Sequence, residues 1–185
     1  MSEVCRVLLI GGSLRAGSTN AAVLATAELV APAGVSARTF HGLAELPHFN
    51  PDDDRDPLPP VVASLRASLA ESHAVLFSTP EYAGSLPGSF KNLLDWTVGD
   101  GLYKKPIGYI NASAHGAAQG AHTTLRTVLG YVNAAVVEAA CVQLPVRRDA
   151  IAAEGTIADP EIRAGISAAL AALRDHVLQL QAAEG

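Results

Sequence analysis

Short apolar runs alternate with longer amphipathic or alanine-rich segments along the whole chain. The short runs are rich in branched aliphatic residues and end at glycine, proline or polar residues, which is typical of buried strands. They predict strands at residues 4–10, 35–40, 74–79, 107–112 and 134–144. The longer segments predict helices at residues 20–31, 61–72, 87–98, 121–132 and 160–181.

Strands that alternate with helices in this way form a parallel sheet that is covered by helices on both faces, with right-handed crossovers. In an open sheet of this class, ligands bind beyond the carboxyl ends of the strands, where the strand order reverses. The loops after the first, third and fourth strands are therefore the places to look for chemistry. Residues 46–60 are rich in proline and aspartate and predict a long surface loop.

Composition narrows the range of functions. The 185 residues contain no internal repeat or boundary, so we expect one domain over residues 1–185. Aromatic residues make up 5% of the chain, and the net charge is −5 with no cluster of Lys and Arg, so we expect neither a nucleic-acid nor a membrane partner. No signal peptide and no apolar run of bilayer length is visible, and we expect a soluble cytoplasmic protein.

The spacing of the two cysteines and of most histidines indicates no catalytic, disulfide or metal-binding role. Cys5 and Cys141 lie far apart in apolar runs, which favours buried free thiols over a disulfide or a catalytic thiol. The histidines show no spacing typical of metal ligands, and we expect no metal site.

The loop after the first predicted strand, residues 11–20, reads GGSLRAGSTN. A helix N-terminus with nearby hydroxyl groups and a guanidinium is suited to an anion, and the glycines allow close backbone approach. The loop has neither the Lys-Ser/Thr ending of a triphosphate loop nor the GxGxxG spacing of a dinucleotide loop, which favours a monophosphate. The alternative is a glycine turn in which Ser18 or Thr19 only caps the helix.

The loop after the third predicted strand opens the segment TPEYAGSLPGSFKNLLDW, residues 79–96. Such a loop presents backbone groups that suit the edge of a flat heterocycle. Together with S-x-R-x-x-S-x-N at residues 13–20, this segment resembles the NADPH-dependent FMN reductase family, which includes azo-, quinone- and chromate-reducing members. The similarity extends over nearly the whole chain and implies an α/β fold, a flavodoxin-like three-layer sandwich with a five-stranded parallel sheet of order 2-1-3-4-5.

The resemblance also implies FMN as cofactor and assigns site residues. Four would hold the FMN phosphate: Ser13, Arg15, Ser18 and Asn20. Four would line the isoalloxazine ring: Pro80, Glu81, Tyr82 and Gly84. The family usually has asparagine where this chain has Ala83, so a contact near the ring or the incoming nicotinamide is missing. Glu81 could instead brace its loop, and Tyr82 could be half-buried packing.

The helix that follows this loop favours a structural interpretation. Helical spacing points four side chains inward: Phe90, Leu93, Leu94 and Thr97. The same spacing makes Lys91 and Asp95 an i, i+4 pair. We therefore interpret the polar set Lys91, Asn92, Asp95 and Trp96 as anchoring the helix rather than as contacting the ring.

The loop after the fourth predicted strand is rich in small residues, and the resemblance implies that Ser113 and Gly116 help to enclose the ring. The family usually ends this segment in two adjacent glycines, whereas this chain has Gln119 before Gly120. His115 is a candidate proton donor to a reduced quinone, because the ordinary pKa of histidine lies near neutrality. The alternative is a solvated loop histidine.

These assignments predict an NAD(P)H oxidoreductase. Hydride would pass from NADPH or NADH to bound FMN, and electrons would then pass to a quinone, azo, nitro, metal-oxyanion or flavin acceptor by a ping-pong mechanism. The resemblance further implies a homodimer or homotetramer, with the helix after the second loop at the interface. Two alternatives are a flavodoxin-like electron carrier and a family member that has lost reductase activity through its departures at Ala83 and Gln119.

Overall fold

The computed structural model describes residues 4–99, 101–114 and 117–184. Within them the chain forms five strands, namely β1 (Cys5–Gly11), β2 (Val35–Phe40), β3 (Ala74–Ser78), β4 (Pro106–Asn111) and β5 (Ala135–Gln143). Five α-helices alternate with the strands: α1 (Thr19–Leu29), α2 (Pro60–Glu71), α3 (Gly88–Asp95), α4 (Gln119–Tyr131) and α5 (Pro160–Glu184). Every predicted element is present, with bounds within three residues of the prediction.

The strands form one parallel sheet of order β2-β1-β3-β4-β5, as predicted. The strand order reverses between β1 and β3, because the chain first moves outward to β2 and then returns past β1. All five strands end at the same edge of the sheet, so the loops that follow β1, β3 and β4 meet there.

Side chains from alternate strand positions form a hydrophobic core on each face of the sheet. On one face, Val7 and Leu9 of β1 pack against buried residues of α1 and α5. On the other face, Leu8 and Ile10 pack against buried residues of α2, α3 and α4. Runs of buried aliphatic residues in the central strands are required because both faces of a doubly covered sheet exclude water.

Helix α3 fixes the position of the long loop at residues 46–60. The Asn92 side chain donates to the Pro47 carbonyl at 2.8 Å and accepts from the Phe49 backbone N–H at 2.8 Å. The Trp96 indole N–H donates to the same Pro47 carbonyl at 2.9 Å, and its ring packs edge-on against Phe49. These contacts, together with the Lys91–Asp95 ion pair, confirm the structural interpretation of this helix.

The remaining predictions about packing hold except for the burial of Cys141, which is only partly buried. Phe90, Leu93, Leu94 and Thr97 are all buried. Cys5 and Cys141 are free thiols, and Cys5 is buried. Among the described residues, no helix combines the length and the apolar character needed to cross a bilayer.

Candidate functional site

Gly12 brings the first loop into direct contact with the end of β3. Its backbone N–H donates to the Ser78 carbonyl at 2.9 Å. A Cβ atom at this position would lie 2.1 Å from Thr79 Oγ1, a distance that no side chain could occupy without a shift of the backbone. Glycine is therefore required here, and the first and second loops start side by side.

The N-terminus of α1 presents several hydrogen-bond donors at this edge. Ser18 is the N-cap, and its Oγ accepts from the Ala21 backbone N–H at 3.0 Å, which leaves the hydroxyl proton free to be donated. The first N–H groups of a helix have no acceptor within the helix. Arg15 is exposed, donates to the Gly17 carbonyl at 3.4 Å, and makes no ion pair with the described residues. Its backbone N–H donates to Ser13 Oγ at 3.2 Å. These donors form a surface suited to an anion.

Asn20 links α1 to the centre of the sheet. Its Oδ1 accepts from Ser78 Oγ at 2.9 Å, and the same hydroxyl lies 3.2 Å from the Ile110 carbonyl. Asn20 is 5% exposed, so this bond is shielded from water. The residue thus has a structural role in addition to the phosphate contact that the resemblance implies.

The second loop turns tightly at residues 82–85. Tyr82 and Ser85 exchange two backbone hydrogen bonds of 3.0 Å, while Ala83 and Gly84 have φ angles of +50° and +74°. Positive φ at both central positions defines a type I′ turn, in which asparagine followed by glycine is the preferred pair. Ala83 therefore occupies a backbone conformation that alanine disfavours. Tyr82 is 52% exposed at one end of the turn, and its contact with the ring stays a prediction.

The second loop is also attached to the start of α4. Glu81 Oε2 accepts from the Ala121 backbone N–H at 3.0 Å, at a helix end where a carboxylate is favoured. Gly120 allows the close approach, because a Cβ there would lie 2.2 Å from the Gly84 carbonyl oxygen. Glu81 therefore does brace the loop; its contact with the ring stays a prediction.

Asn111 organises the third loop at the end of β4. Its Nδ2 donates to the Ala117 carbonyl at 2.9 Å, and its Oδ1 accepts from the Ser113 backbone N–H at 3.0 Å. The loop ends at Ala118, which has a φ of +70° and precedes α4 directly. His115 and Gly116, for which a proton donor and a ring contact were predicted, lie outside the described residues.

The three loops enclose a cleft of about 310 Å³, which we call the central cleft. It contains four of the predicted site residues: Asn20, Pro80, Glu81 and Ser113. Five further residues line it: Thr19, Thr79, Asn111, Ala117 and Ala118. Sequence reasoning considered only Thr19 among these, as a cap or a further hydroxyl donor. The position of Asn111, a polar residue at the carboxyl end of a predicted strand, was the signal that could have identified it.

Five other predicted site residues that the structure describes do not line the central cleft and belong to the loops next to it. Ser13, Arg15 and Ser18 are in the loop that leads into α1, and Tyr82 and Gly84 belong to the turn of the second loop. The ligand contacts of these residues stay predictions.

His122 lies behind the wall of the central cleft. Its Nδ1 is 2.7 Å from the Ala118 carbonyl oxygen, so Nδ1 carries the proton and donates it there. Nε2 then has no proton and bears a lone pair. Nε2 is buried without a hydrogen-bond partner among the described residues. Burial lowers the pKa of His122, the nearby Arg126 lowers it further, and the Ala118 carbonyl and Glu81 oppose the shift. The ring packs at 4.8 Å against Tyr109. The neutral imidazole thus holds the Ala118 end of the third loop.

A profile of the NADPH-dependent FMN reductase family matches residues 5–149. An NAD(P)H-dependent FMN reductase from Pseudomonas aeruginosa is 33% identical over 98% of this chain and 100% of its own length. A quinone reductase from Escherichia coli K12 is 33% identical over 74% of this chain and 75% of its own length. Among solved structures, FerB, a flavoenzyme NAD(P)H:(acceptor) oxidoreductase from Paracoccus denitrificans, matches with a TM-score of 0.74 and 28% identity, covering 94% of this chain and 99% of FerB.

Proposed function

The chain belongs to the NADPH-dependent FMN reductase family, and on this premise we propose that it is an enzyme that binds FMN in the central cleft and uses NADPH or NADH to reduce a small-molecule acceptor. The observation that carries the proposal is the meeting of three loops at one edge of the sheet. One loop presents unpaired donors for a phosphate, and the other two enclose a cleft lined by amide, hydroxyl and carboxylate groups.

The donors at the N-terminus of α1 fit the phosphate of FMN. A dianionic phosphate needs several hydrogen-bond donors and a compensating charge. The Ser18 hydroxyl proton, the free N–H groups of the first helical turn and the Arg15 guanidinium supply both. Ser13 adds a hydroxyl in the same loop, and Asn20 adds its amide group. We assign the phosphate end of the cofactor to these residues.

The walls of the central cleft fit a flat ring that is recognised through polar edges. Pro80 and Ala118 provide apolar surface, whereas Asn111 and Ser113 provide polar groups. A volume of about 310 Å³ is typical of a small-molecule site. Tyr82 and Gly84 border the ring from the turn of the second loop, and Glu81 keeps that loop in place through α4. His115 stays a candidate proton donor, and Gly116 stays the candidate ring contact that the resemblance implies.

FMN supplies the redox chemistry when it is bound, because it accepts hydride from the dinucleotide and passes electrons on. The chain contributes binding, orientation and backbone dipoles. One site that serves first the donor and then the acceptor gives ping-pong kinetics. The relatives that are named quinone reductases favour a quinone as acceptor, ahead of azo, nitro, metal-oxyanion or free flavin acceptors.

A visible spectrum of the purified protein tests the proposal. The protein is incubated with FMN, separated from free flavin, and mixed anaerobically with NADPH or NADH. We expect a bound flavin band that bleaches on addition of either dinucleotide and returns on addition of a quinone. A protein that retains no FMN would contradict the binding site. A bound flavin that neither dinucleotide reduces would support an electron carrier, or a family member without reductase activity, instead of a reductase.

A further inference from the structure

A second cleft adjoins the central cleft on the side of β5. It has a volume of about 580 Å³ and shares Thr19 and Ser113 with the central cleft. Its far wall is the loop after β5, which contributes Val146, Arg147, Arg148 and Asp149. We call it the arginine cleft. The two shared residues place the two clefts side by side at the carboxyl edge of the sheet, where one extended molecule could reach both.

The charges of the arginine cleft favour an anion. Arg147 donates to both carboxylate oxygens of Asp149, at 3.1 and 3.0 Å, and this pairing holds the pKa of Asp149 below its usual range. Arg148 is exposed and makes no ion pair with any residue that the structure describes. Arg147, Arg148 and Asp149 together therefore have a net charge of one positive unit, which is located on Arg148. A guanidinium with five free donors is well suited to a phosphate.

We propose that the arginine cleft binds a phosphate group of the pyridine dinucleotide, with Arg148 as the principal contact. This inference rests on the proposed function. If FMN occupies the central cleft, the dinucleotide must place its nicotinamide against the exposed part of the ring. The rest of the dinucleotide is then too large for the central cleft, and its phosphates need a cationic surface next to that cleft. The arginine cleft provides that surface, whereas Arg15 lies in the loop assigned to the cofactor's own phosphate.

Binding of oxidised dinucleotides to the FMN-loaded protein tests the inference without turnover. Isothermal titration calorimetry gives the Kd of NADP⁺ and of NAD⁺ for the wild type and for Arg148→Ala, Arg148→Lys and Asp149→Asn. The matched control is Arg38→Ala, which removes another exposed arginine, on β2. Flavin fluorescence gives the Kd of FMN for each variant. The uptake and bleaching of FMN in the wild type, measured beforehand, decide the proposed function separately.

We expect Arg148→Ala to weaken the binding of NADP⁺ about ten-fold. Arg148→Lys should weaken it less, since a lysine keeps the positive charge but not the planar set of donors. Asp149→Asn releases Arg147 from its carboxylate partner and should tighten NADP⁺ binding about three-fold. Arg38→Ala should leave it unchanged. If Arg148→Ala loses affinity for NADP⁺ but not for NAD⁺, Arg148 contacts the 2′-phosphate. If it loses affinity for both equally, Arg148 contacts the pyrophosphate. Both results support the inference.

Two results would overturn it. The first is an unchanged Kd of NADP⁺ in both Arg148→Ala and Asp149→Asn, while the wild type still binds FMN and is bleached by NADPH. The second is a loss of FMN affinity in Arg148→Ala without a loss of NADP⁺ affinity, which would assign Arg148 to the phosphate of the cofactor.

Discussion

Ser18 caps the start of α1, Asn20 attaches that helix to β3, and each side chain keeps polar capacity for a ligand. Ser18 Oγ accepts one bond as the N-cap and still has its proton to donate. Asn20 uses Oδ1 towards Ser78, while the residue lines the central cleft. Because these side chains are already held by the fold, little conformational entropy is lost when a phosphate binds.

Arg15 differs from these two residues, because it contributes charge without holding the fold. We predict that Arg15→Ala weakens the binding of FMN about ten-fold and the binding of riboflavin less than two-fold, since only FMN carries the phosphate. Fluorescence titration of the apoprotein with both flavins measures the difference, with Arg38→Ala as the control. Equal losses for the two flavins would remove the phosphate role of Arg15.

Ala83 is strained by its backbone conformation, with a φ of +50° in a type I′ turn. Asparagine tolerates this region better than alanine, and a β-branched residue tolerates it worse. We predict that Ala83→Asn raises the free energy of unfolding by about 0.5 kcal/mol and that Ala83→Val lowers it by about 1 kcal/mol. Urea denaturation measures both. The turn assignment would be wrong if the two variants shifted stability in the same direction.

His122 makes stability depend on pH. Its pKa in the folded protein lies below the ordinary value of 6.5 because it is buried. The unfolded chain therefore binds the proton more readily, so the contribution of the neutral ring is complete above pH 6.5 and is lost as the pH falls through the folded pKa.

We predict that acidification from pH 7.5 to 5.5 lowers the free energy of unfolding more in the wild type than in His122→Phe, which retains an aromatic ring against Tyr109 but has no titratable group. Urea denaturation at the two pH values measures this difference. Because the two proteins differ only at residue 122, the comparison isolates His122. An identical pH dependence would show that its burial does not control protonation.

At the scale of the elements, the start of α4 connects the second and third loops. Glu81 binds the backbone at Ala121, Ser85 Oγ lies 3.2 Å from Thr124 Oγ1, and Gly120 packs against the Gly84 carbonyl. A displacement of this helix end would therefore move both walls of the central cleft. The resembled family usually has two adjacent glycines here, and this chain keeps one of them, Gly120. Gly120 makes the closest of these contacts.

We predict that Gly120→Ala lowers the free energy of unfolding by about 1–3 kcal/mol and weakens FMN, because the added Cβ would lie 2.2 Å from a backbone oxygen. The matched control is Gly130→Ala in the same helix, where a Cβ meets open space and helix propensity improves. Thermal unfolding and FMN titration measure both variants. A destabilised Gly130→Ala, or an unaffected Gly120→Ala, would contradict the packing argument.

At the scale of the whole molecule, the parallel sheet gathers loops that are distant in sequence at one edge. Helix α3 follows the second loop, and exposed apolar side chains flank it, with Tyr82 52% and Val98 54% exposed. Apolar surface beside a functional cleft is typical of an interface between subunits.

We propose a homodimer or homotetramer that buries this region and predict that sedimentation velocity detects it. Val98→Asp should weaken association at least about ten-fold, since it would place a charge in the interface. Leu29→Asp, at an exposed leucine of α1 on the other face of the sheet, is the control and should leave association unchanged. A monomeric wild type, or equal effects of the two variants, would contradict the proposed interface.

The local sequence patterns predicted the five strands and five α-helices of the described residues, the parallel sheet and the edge at which the candidate site lies. They did so because a strand covered on both faces must be apolar throughout, and because turn residues such as Gly11, Gly12 and Pro80 mark where each strand ends. The two motifs that carry the family resemblance are also local, so the family, the strand order and the candidate phosphate loop could be recognised without coordinates.

Tertiary structure decided which of those residues contact one another. Gly12 needs its missing Cβ because of Thr79, Asn20 meets Ser78, and Glu81 caps a helix that begins 38 residues later at Gln119. No local pattern encodes such pairs, because each partner is brought close only when the crossovers stack separate strands in order. The buried lone pair of His122 and the adjacency of the two clefts arise in the same way, since both depend on loops that meet only in the folded sheet.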